Sequence, residues 1–307
     1  MQKKLVISPK KDLLSLLDWS SKEVKFVLKS SVDIKANPKK YSKALNGKIL
    51  TLLFEKQSTR TRSSFEAGMY QLGGQAIYLD WKTTQLQKAR LEDEILCLES
   101  YSNVIAARVF KQSDLEIMAD VTQIPVINAL SDLFHPCQAL SDFLTIQEYS
   151  ENLANVTVAY IGDGNNVCNS LIIAAAKLGV QIKVATPKKY EPLEDAVYEG
   201  KKEGVLQLFN DPKEAVQNAD FVYTDTWISM GEENLKKVKE KAFQNYQINV
   251  DLLSHANKNA KIMHCLPAYP GKEINELLIR SNKSIIFQQA ANKLHAQKAV
   301  LNFVLNR

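Results

Sequence analysis

Short apolar runs alternate with helical patterns along almost the whole of this sequence, and that alternation leaves few architectures open. Segment 48–54, KILTLLF, reads as a buried strand of aliphatic and β-branched character. Segments 74–80 (GQAIYLD), 103–109 (NVIAARV) and 124–130 (IPVINAL) read the same way, with SDLEIMADVT (113–122) as a helix before the last of them. The second half of the chain repeats the pattern with NVTVAYIGD (155–163), QIKVATP (181–187), ADFVYTD (219–225) and AKIMHCLP (260–267), and with the helix NSLIIAAAKLG (169–179) after the first. Parallel strands need long crossover connections, and helices supply them while covering the sheet faces. The expected fold is therefore α/β: two domains, each with a parallel sheet flanked by helices, joined by bridging helices.

A chain of 307 residues is long enough to divide in this way. The run after Pro136, as far as Leu153, is expected to form one long bridging helix, since Ala139, Phe143 and Ile146 share a face. Residues 290–306 are expected to close the chain as a helix, with Leu294, Leu301 and Leu305 among its apolar positions, packed back on the first domain. The expected division is 1–148, completed by the C-terminal helix 286–307, and 149–285. Near the start, Ser20 and Glu23 have capping-box spacing, which predicts a helix immediately after Ser20.

Composition narrows the function. The net charge of +5 is a mild excess, and no dense basic run is interleaved with aromatics, so small acidic substrates are expected and nucleic acid is not. The basic N-terminus lacks an apolar stretch long enough for a signal peptide, and no segment approaches a membrane span. Four cysteines lie far apart with no CxxC pair, which argues against a disulfide framework or zinc ribbon and for a reduced, cytoplasmic setting.

Functional residues in open α/β sheets gather at the carboxyl ends of the strands. At the ends of the expected strands here stand STRTR (58–62), Arg108, FHPCQ (134–138), GDGNN (162–166), DTWISMG (225–231) and HCLPAYPG (264–271). STRTR lies where a strand turns into a helix, with Phe65, Met69 and Leu72 at helical spacing and Gly73-Gly74 as a stop. Unpaired N–H groups and the positive dipole end at such a start suit an oxyanion, and phosphate fits best. Taken alone, such a cluster is more often an ordinary capped helix bearing solvated arginines. GDGNN lacks the full GxGxxG spacing, and no acidic residue ends the next strand, so no dinucleotide is expected. His135 with Cys137, and His264 with Cys265, lack zinc-finger spacing, so neither metal nor cofactor is expected. His295 reads as structural.

In this order, STRTR, FHPCQ, GDGNN, DTWISMG and HCLPA resemble the aspartate/ornithine carbamoyltransferase family over almost the whole chain. STRTR and HPxQ belong to the wider family, whereas SMG with HCLP is particular to its ornithine branch. The resemblance implies carbamoyl phosphate and ornithine as substrates, citrulline and phosphate as products, and a trimer or a multiple of trimers. It assigns Ser58, Thr59, Arg60 and Thr61 to the phosphate, with Gln85, Arg108, His135, Gln138, Cys265, Leu266 and Lys293 completing the carbamoyl phosphate site. It assigns Asn166, Asp225, Ser229 and Met230 to ornithine, and Arg108, His135, Asp225 and Cys265 to catalysis. Asp225 and Cys265 are alternative candidates for receiving the δ-amine proton.

Two segments depart from the family pattern. The loop that in the family reaches into a neighbouring subunit's site is here QLQKARLEDEIL (85–96): Gln85 is kept, but Gln87 and Ala89 replace glycines and Arg90 a glutamate. Ala291-Asn292-Lys293 stands where the family has Glu-Asn-Arg, and lysine keeps the charge without the planar fork. A related diamine or amino acid as acceptor, or a non-catalytic metabolite-binding paralogue, remain as further readings. Joint retention of the motifs weighs against both.

Overall fold

The computed structural model of the chain describes residues 10–229 and 231–306. Its first half runs α1 (Ser21–Ala36), β1 (Ile49–Phe54), α2 (Thr59–Gln71), β2 (Gln75–Asp80), α3 (Leu91–Glu99), β3 (Val104–Arg108), α4 (Gln112–Val121), β4 (Val126–Leu130) and α5 (Pro136–Glu148). The second continues with β5 (Thr157–Ile161), α6 (Asn166–Leu178), β6 (Gln181–Ala185), α7 (Glu194–Lys202), β7 (Leu206–Phe209), α8 (Pro212–Val216) and β8 (Phe221–Thr224). It ends in α9 (Lys236–Phe243), α10 (Val250–Ser254), β9 (Lys261–His264), α11 (Glu276–Ile279) and α12 (Ile286–Leu305).

Among the described residues two sheets form, ordered β2-β1-β3-β4 and β7-β6-β5-β8-β9, with parallel pairing throughout. The chain reverses its lateral direction between β1 and β3 in the first sheet and between β5 and β8 in the second. Open parallel sheets bind ligands at such switch points, outside the strand carboxyl ends. Every motif singled out at a strand end lies there or beside it.

Local chemistry explains the element ends. Ser20 and Glu23 form a reciprocal capping box at α1, as their spacing predicts. Gly73, at φ 87°, turns the chain sharply after α2, a conformation that a Cβ would strain. In GDGNN, a Cβ on Gly164 would lie 2.4 Å from the backbone of Glu191 and Pro192, so this glycine serves the close approach of a neighbouring loop.

Two helices differ from their expected extents. The helix after Pro136 stops at Glu148, and residues from Pro136 to Ile146 are buried on every side rather than on one face. Its position accounts for this: α6, α12 and β4 all pack on α5, and one apolar cluster passes through Phe143, Tyr160, Tyr223 and Val300. Helix α6 begins at Asn166, three residues before its expected start, because Asn165 caps it by accepting from the Val167 and Cys168 N–H groups. The C-terminal helix lies against α1, α2 and α5, as expected of an element returning to the first half. No helix among the described residues is long and apolar enough to cross a membrane.

Candidate active site

A cleft of about 390 Å³ opens at the carboxyl ends of both sheets. Ser58, Thr59, Arg60, Thr61, Arg108, His135, Gln138, Asn166, Asp225, Ser229, Cys265, Leu266 and Lys293 all line it. Gln85 does not; it sits exposed in the short turn Gln85–Gln87. Met230 lies outside the described residues.

The first wall is cationic. Ser58 caps α2 by accepting from the Thr61 N–H at 3.2 Å, so the first-turn N–H groups before Thr61 face outward without intrahelical acceptors. Arg108, at the end of β3, is buried, and its Nε has no protein partner among the described residues. Burial, with Arg60 beside it, pulls its guanidinium down to about 10, which leaves it charged at neutral pH. Lys293 from α12 is also buried; desolvation and then Arg108 bring its ammonium down to about 8. Arg60, Arg108 and Lys293 line one cleft, and none of them has an ion-pair partner among the described residues, which marks a place for an anion.

His135 precedes Pro136 at the start of α5, held by its backbone N–H donating to Ser170 Oγ at 2.7 Å. Its Nδ1 is buried and without a partner among the described residues. Burial, reinforced by Lys293 and Arg108, holds the imidazole well below its usual range, so it is a neutral ring with one N–H to donate. Gln138 lies on the next turn, its Oε1 accepting from Lys293 Nζ at 2.9 Å.

The opposite wall carries the acidic group. Asp225, just beyond β8, accepts from Asn165 Nδ2, its neighbour's Thr226 N–H and Cys265 Sγ at 2.8, 2.7 and 2.8 Å. Burial and then the Asp225 carboxylate push the Cys265 thiol well above its ordinary range, so it is a donor rather than a thiolate nucleophile. Leu266 holds φ 61° just before a cis peptide bond to Pro267, with its N–H donated to His264 Nδ1 at 2.8 Å. Asn166 Nδ2 donates to the Ser131 carbonyl across the cleft floor.

Asp225, His264 and Cys265 bring their potential ligand atoms within 4.8 Å of one another. Both ring nitrogens of His264 are engaged, Nδ1 by Leu266 and Nε2 by Glu273 Oε1 at 3.1 Å, and the thiol keeps its proton. The donor set is therefore committed to holding the loop.

Residues 11–148 match the family model described as aspartate/ornithine carbamoyltransferase, carbamoyl-P binding domain, and residues 154–304 match its Asp/Orn binding domain. The chain belongs to the aspartate/ornithine carbamoyltransferase family. It is 46% identical over 303 residues to an ornithine carbamoyltransferase of Listeria innocua, covering 96% of each chain. Among solved structures it resembles the ornithine carbamoyltransferase of Pyrococcus furiosus, with TM-score 0.92 and 42% identity over 98% of this chain and 99% of that one. The anabolic ornithine carbamoyltransferase of Campylobacter jejuni gives TM-score 0.91 and 39% identity over 96% and 99%.

Several polar groups of this carbamoyltransferase site escaped the reading of the sequence. Lys56 lines the cleft, buried, its ammonium 4.4 Å from the Phe110 ring centroid. Its place between strand and STRTR was the available signal. Asn165 was legible only as part of GDGNN. Lys239, buried on α9, bridges Asp163 at 2.7 Å and Glu232, and Glu232 in turn accepts the Ser229 N–H at 3.1 Å. Nothing in the spacing of those residues announces this triad.

Proposed function

We propose that this carbamoyltransferase moves the carbamoyl group of carbamoyl phosphate to the δ-amine of L-ornithine, releasing L-citrulline and phosphate. The observation that carries the reading is that a hydrogen-bonded carboxylate–thiol pair, Asp225 and Cys265, lines the same cleft as the α2 start, Arg108 and Lys293.

The phosphate dianion rests on the N–H groups and hydroxyls of the α2 start, with Arg60, Arg108 and Lys293 supplying charge. Neutral His135, Arg108 and Thr61 donate to the carbamoyl oxygen. These hydrogen bonds strengthen as the carbonyl becomes tetrahedral, and each such donor contributes about 3 kcal/mol. Ornithine lies on the opposite wall, its α-carboxylate toward Asn166 and its α-amine toward Asp225 and Ser229. Its δ-ammonium loses a proton toward the Asp225–Cys265 pair or solvent, and the neutral amine attacks the carbamoyl carbon. The N–C bond forms, the bond from the carbamoyl carbon to the bridging oxygen breaks, and one of the two amine protons leaves with phosphate as hydrogen phosphate while the other stays on the citrulline nitrogen. Positioning and charge stabilisation account for catalysis, and no covalent enzyme intermediate is needed.

We assign residues 1–148 with the C-terminal segment 286–307 to the carbamoyl phosphate domain and 149–285 to the ornithine domain. The chain acts in the cytoplasm as a trimer or multiple of trimers, with Gln85 of each subunit serving a neighbour's site. Gln85's exposed position, away from its own cleft, supports that arrangement. The test is steady-state citrulline-type product formation with ornithine, lysine, putrescine and N-acetylornithine offered in parallel. Ornithine should exceed the others in kcat/KM by at least about a hundredfold, since a buried charged site penalises each unmatched group. Preference for another amine would overturn the substrate, and no turnover in folded protein would overturn the reaction.

A further inference from the structure

Asp142 is fully buried behind the cleft and does not itself line it. It accepts from Gln138 Nε2 at 2.8 Å, from Gln289 Nε2 at 2.7 Å and from the Tyr223 hydroxyl at 3.0 Å. These donors are neutral and come from three elements: α5, α12 and β8. A buried carboxylate satisfied only by neutral donors is costly, and an apolar residue would pack there more favourably. We propose that Asp142 is a positioning residue that fixes the Gln138 amide so that its oxygen faces the cleft, and that this selects carbamoyl phosphate over acyl phosphates lacking an amino group. The inference rests on the function proposed above.

Both amide NH₂ groups meet the same oxygen, Asp142 Oδ1, while Oδ2 faces the Tyr223 hydroxyl. Burial pushes the carboxyl up to about 7, and a proton taken up on Oδ2 still leaves Oδ1 an acceptor. Asp142 therefore holds Gln138 by the NH₂ end and forces Oε1 the other way. There Oε1 meets Lys293 Nζ, itself a cleft residue. The same logic holds Gln289: its NH₂ goes to Asp142 and its Oε1 accepts the His264 N–H at 2.9 Å, tying the strand end before Cys265 into the array. Around Oε1 the side chains of Arg60, Arg108 and Lys293 offer donors alone. Carbamoyl phosphate presents acceptors at its phosphate and carbonyl, and its NH₂ is the one group that needs an acceptor. Gln138 Oε1 supplies it. Acetyl phosphate puts a methyl group there and leaves unmet the acceptor site of Oε1 that Lys293 does not take, the kind of mismatch by which polar sites discriminate. With Asp142 replaced by a group able to donate, the Gln138 amide is free to flip and present its NH₂ instead.

The experiment compares wild type, Asp142→Asn and Gln138→Met. It measures KM for each substrate, kcat, and competition by acetyl phosphate, with thermal melting as the folding check. Asp142→Asn should raise KM for carbamoyl phosphate about tenfold, the loss of one well-placed hydrogen bond. KM for ornithine should stay within about twofold, and the preference for carbamoyl over acetyl phosphate should fall by a similar factor of about ten. Gln138→Met should lose the same preference while keeping the side chain's length. An unchanged preference in folded Asp142→Asn, or a parallel rise in both KM values, overturns the positioning role. Should Asp142→Asn not fold, an unchanged preference in Gln138→Met overturns it, and a lost preference with the Gln138 orientation retained in the wild-type crystal supports it. The competition is also read as binding by calorimetry. Absence of citrulline formation in wild type would then sink the proposed function while leaving the Asp142 inference separately testable.

Discussion

Lys293 is a buried lysine in the cationic wall of the cleft, and its chemistry leads to a pH dependence. Desolvation and Arg108 bring its ammonium down to about 8, so in the empty site it is protonated below that pH and neutral above it. A phosphate dianion is attracted to the protonated form alone. Binding above pH 8 must therefore take up a proton, and affinity falls as pH rises. Calorimetric affinity for carbamoyl phosphate should weaken by about tenfold from about pH 7 to about pH 9, with proton uptake growing over the interval, as one coupled group with that pKa requires. Lys293→Arg should flatten the profile, because a guanidinium stays charged throughout. His135 makes a second residue-scale prediction. As a buried neutral donor, it should cost about a hundredfold in kcat when changed to alanine, with KM for ornithine little altered, measured by steady-state kinetics. Both residues were visible in the sequence through HPCQ and the terminal Lys-Leu-His. Asp142 and Lys239 were not, because their importance lies in partners far away in the chain, Gln289 and Asp163.

At the scale of elements, two helix caps with the same chemistry should behave differently. Ser20 and Ser58 each cap a helix through the side-chain oxygen. Ser20→Ala should lower stability by about 1 kcal/mol and leave both KM values unchanged. Ser58→Ala should cost a similar amount and also raise KM for carbamoyl phosphate, because the first turn of α2, which lines the cleft, is then free to fray; melting and kinetics on both variants separate the effects. Elements were most legible where a local signal and a periodic pattern agree, as in 48–54 running into STRTR. They were least legible where tertiary burial overrides periodicity. Helix α5 has a recognisable apolar stripe, yet it is enclosed on all sides, and its neighbours supply the reason rather than its own spacing. The early start of α6 was missed because Asn165 was read as part of a loop motif instead of a cap.

For the whole molecule, sequence alternation foretold parallel sheets but gave no strand order, which depends on where each crossover helix packs. The order matters because the two switch points bring STRTR, Arg108, GDGNN and Asp225 toward one cleft. If Gln85 completes a neighbouring subunit's site, sedimentation equilibrium should give three times the chain mass or a multiple of it. Mixing inactive Arg108→Met chains with impaired Gln85→Ala chains should then restore activity, since some mixed trimers hold an intact Arg108 beside a neighbour's intact Gln85. Absence of recovery on subunit exchange would contradict the shared site. Carbamoyl transfer within this cleft is decided by counting both products from purified protein given carbamoyl phosphate and ornithine. Citrulline and phosphate should form in equal amounts, beyond spontaneous decomposition, and both should be lost in Arg108→Met. Phosphate released without citrulline, or citrulline formed undiminished by Arg108→Met, would contradict it.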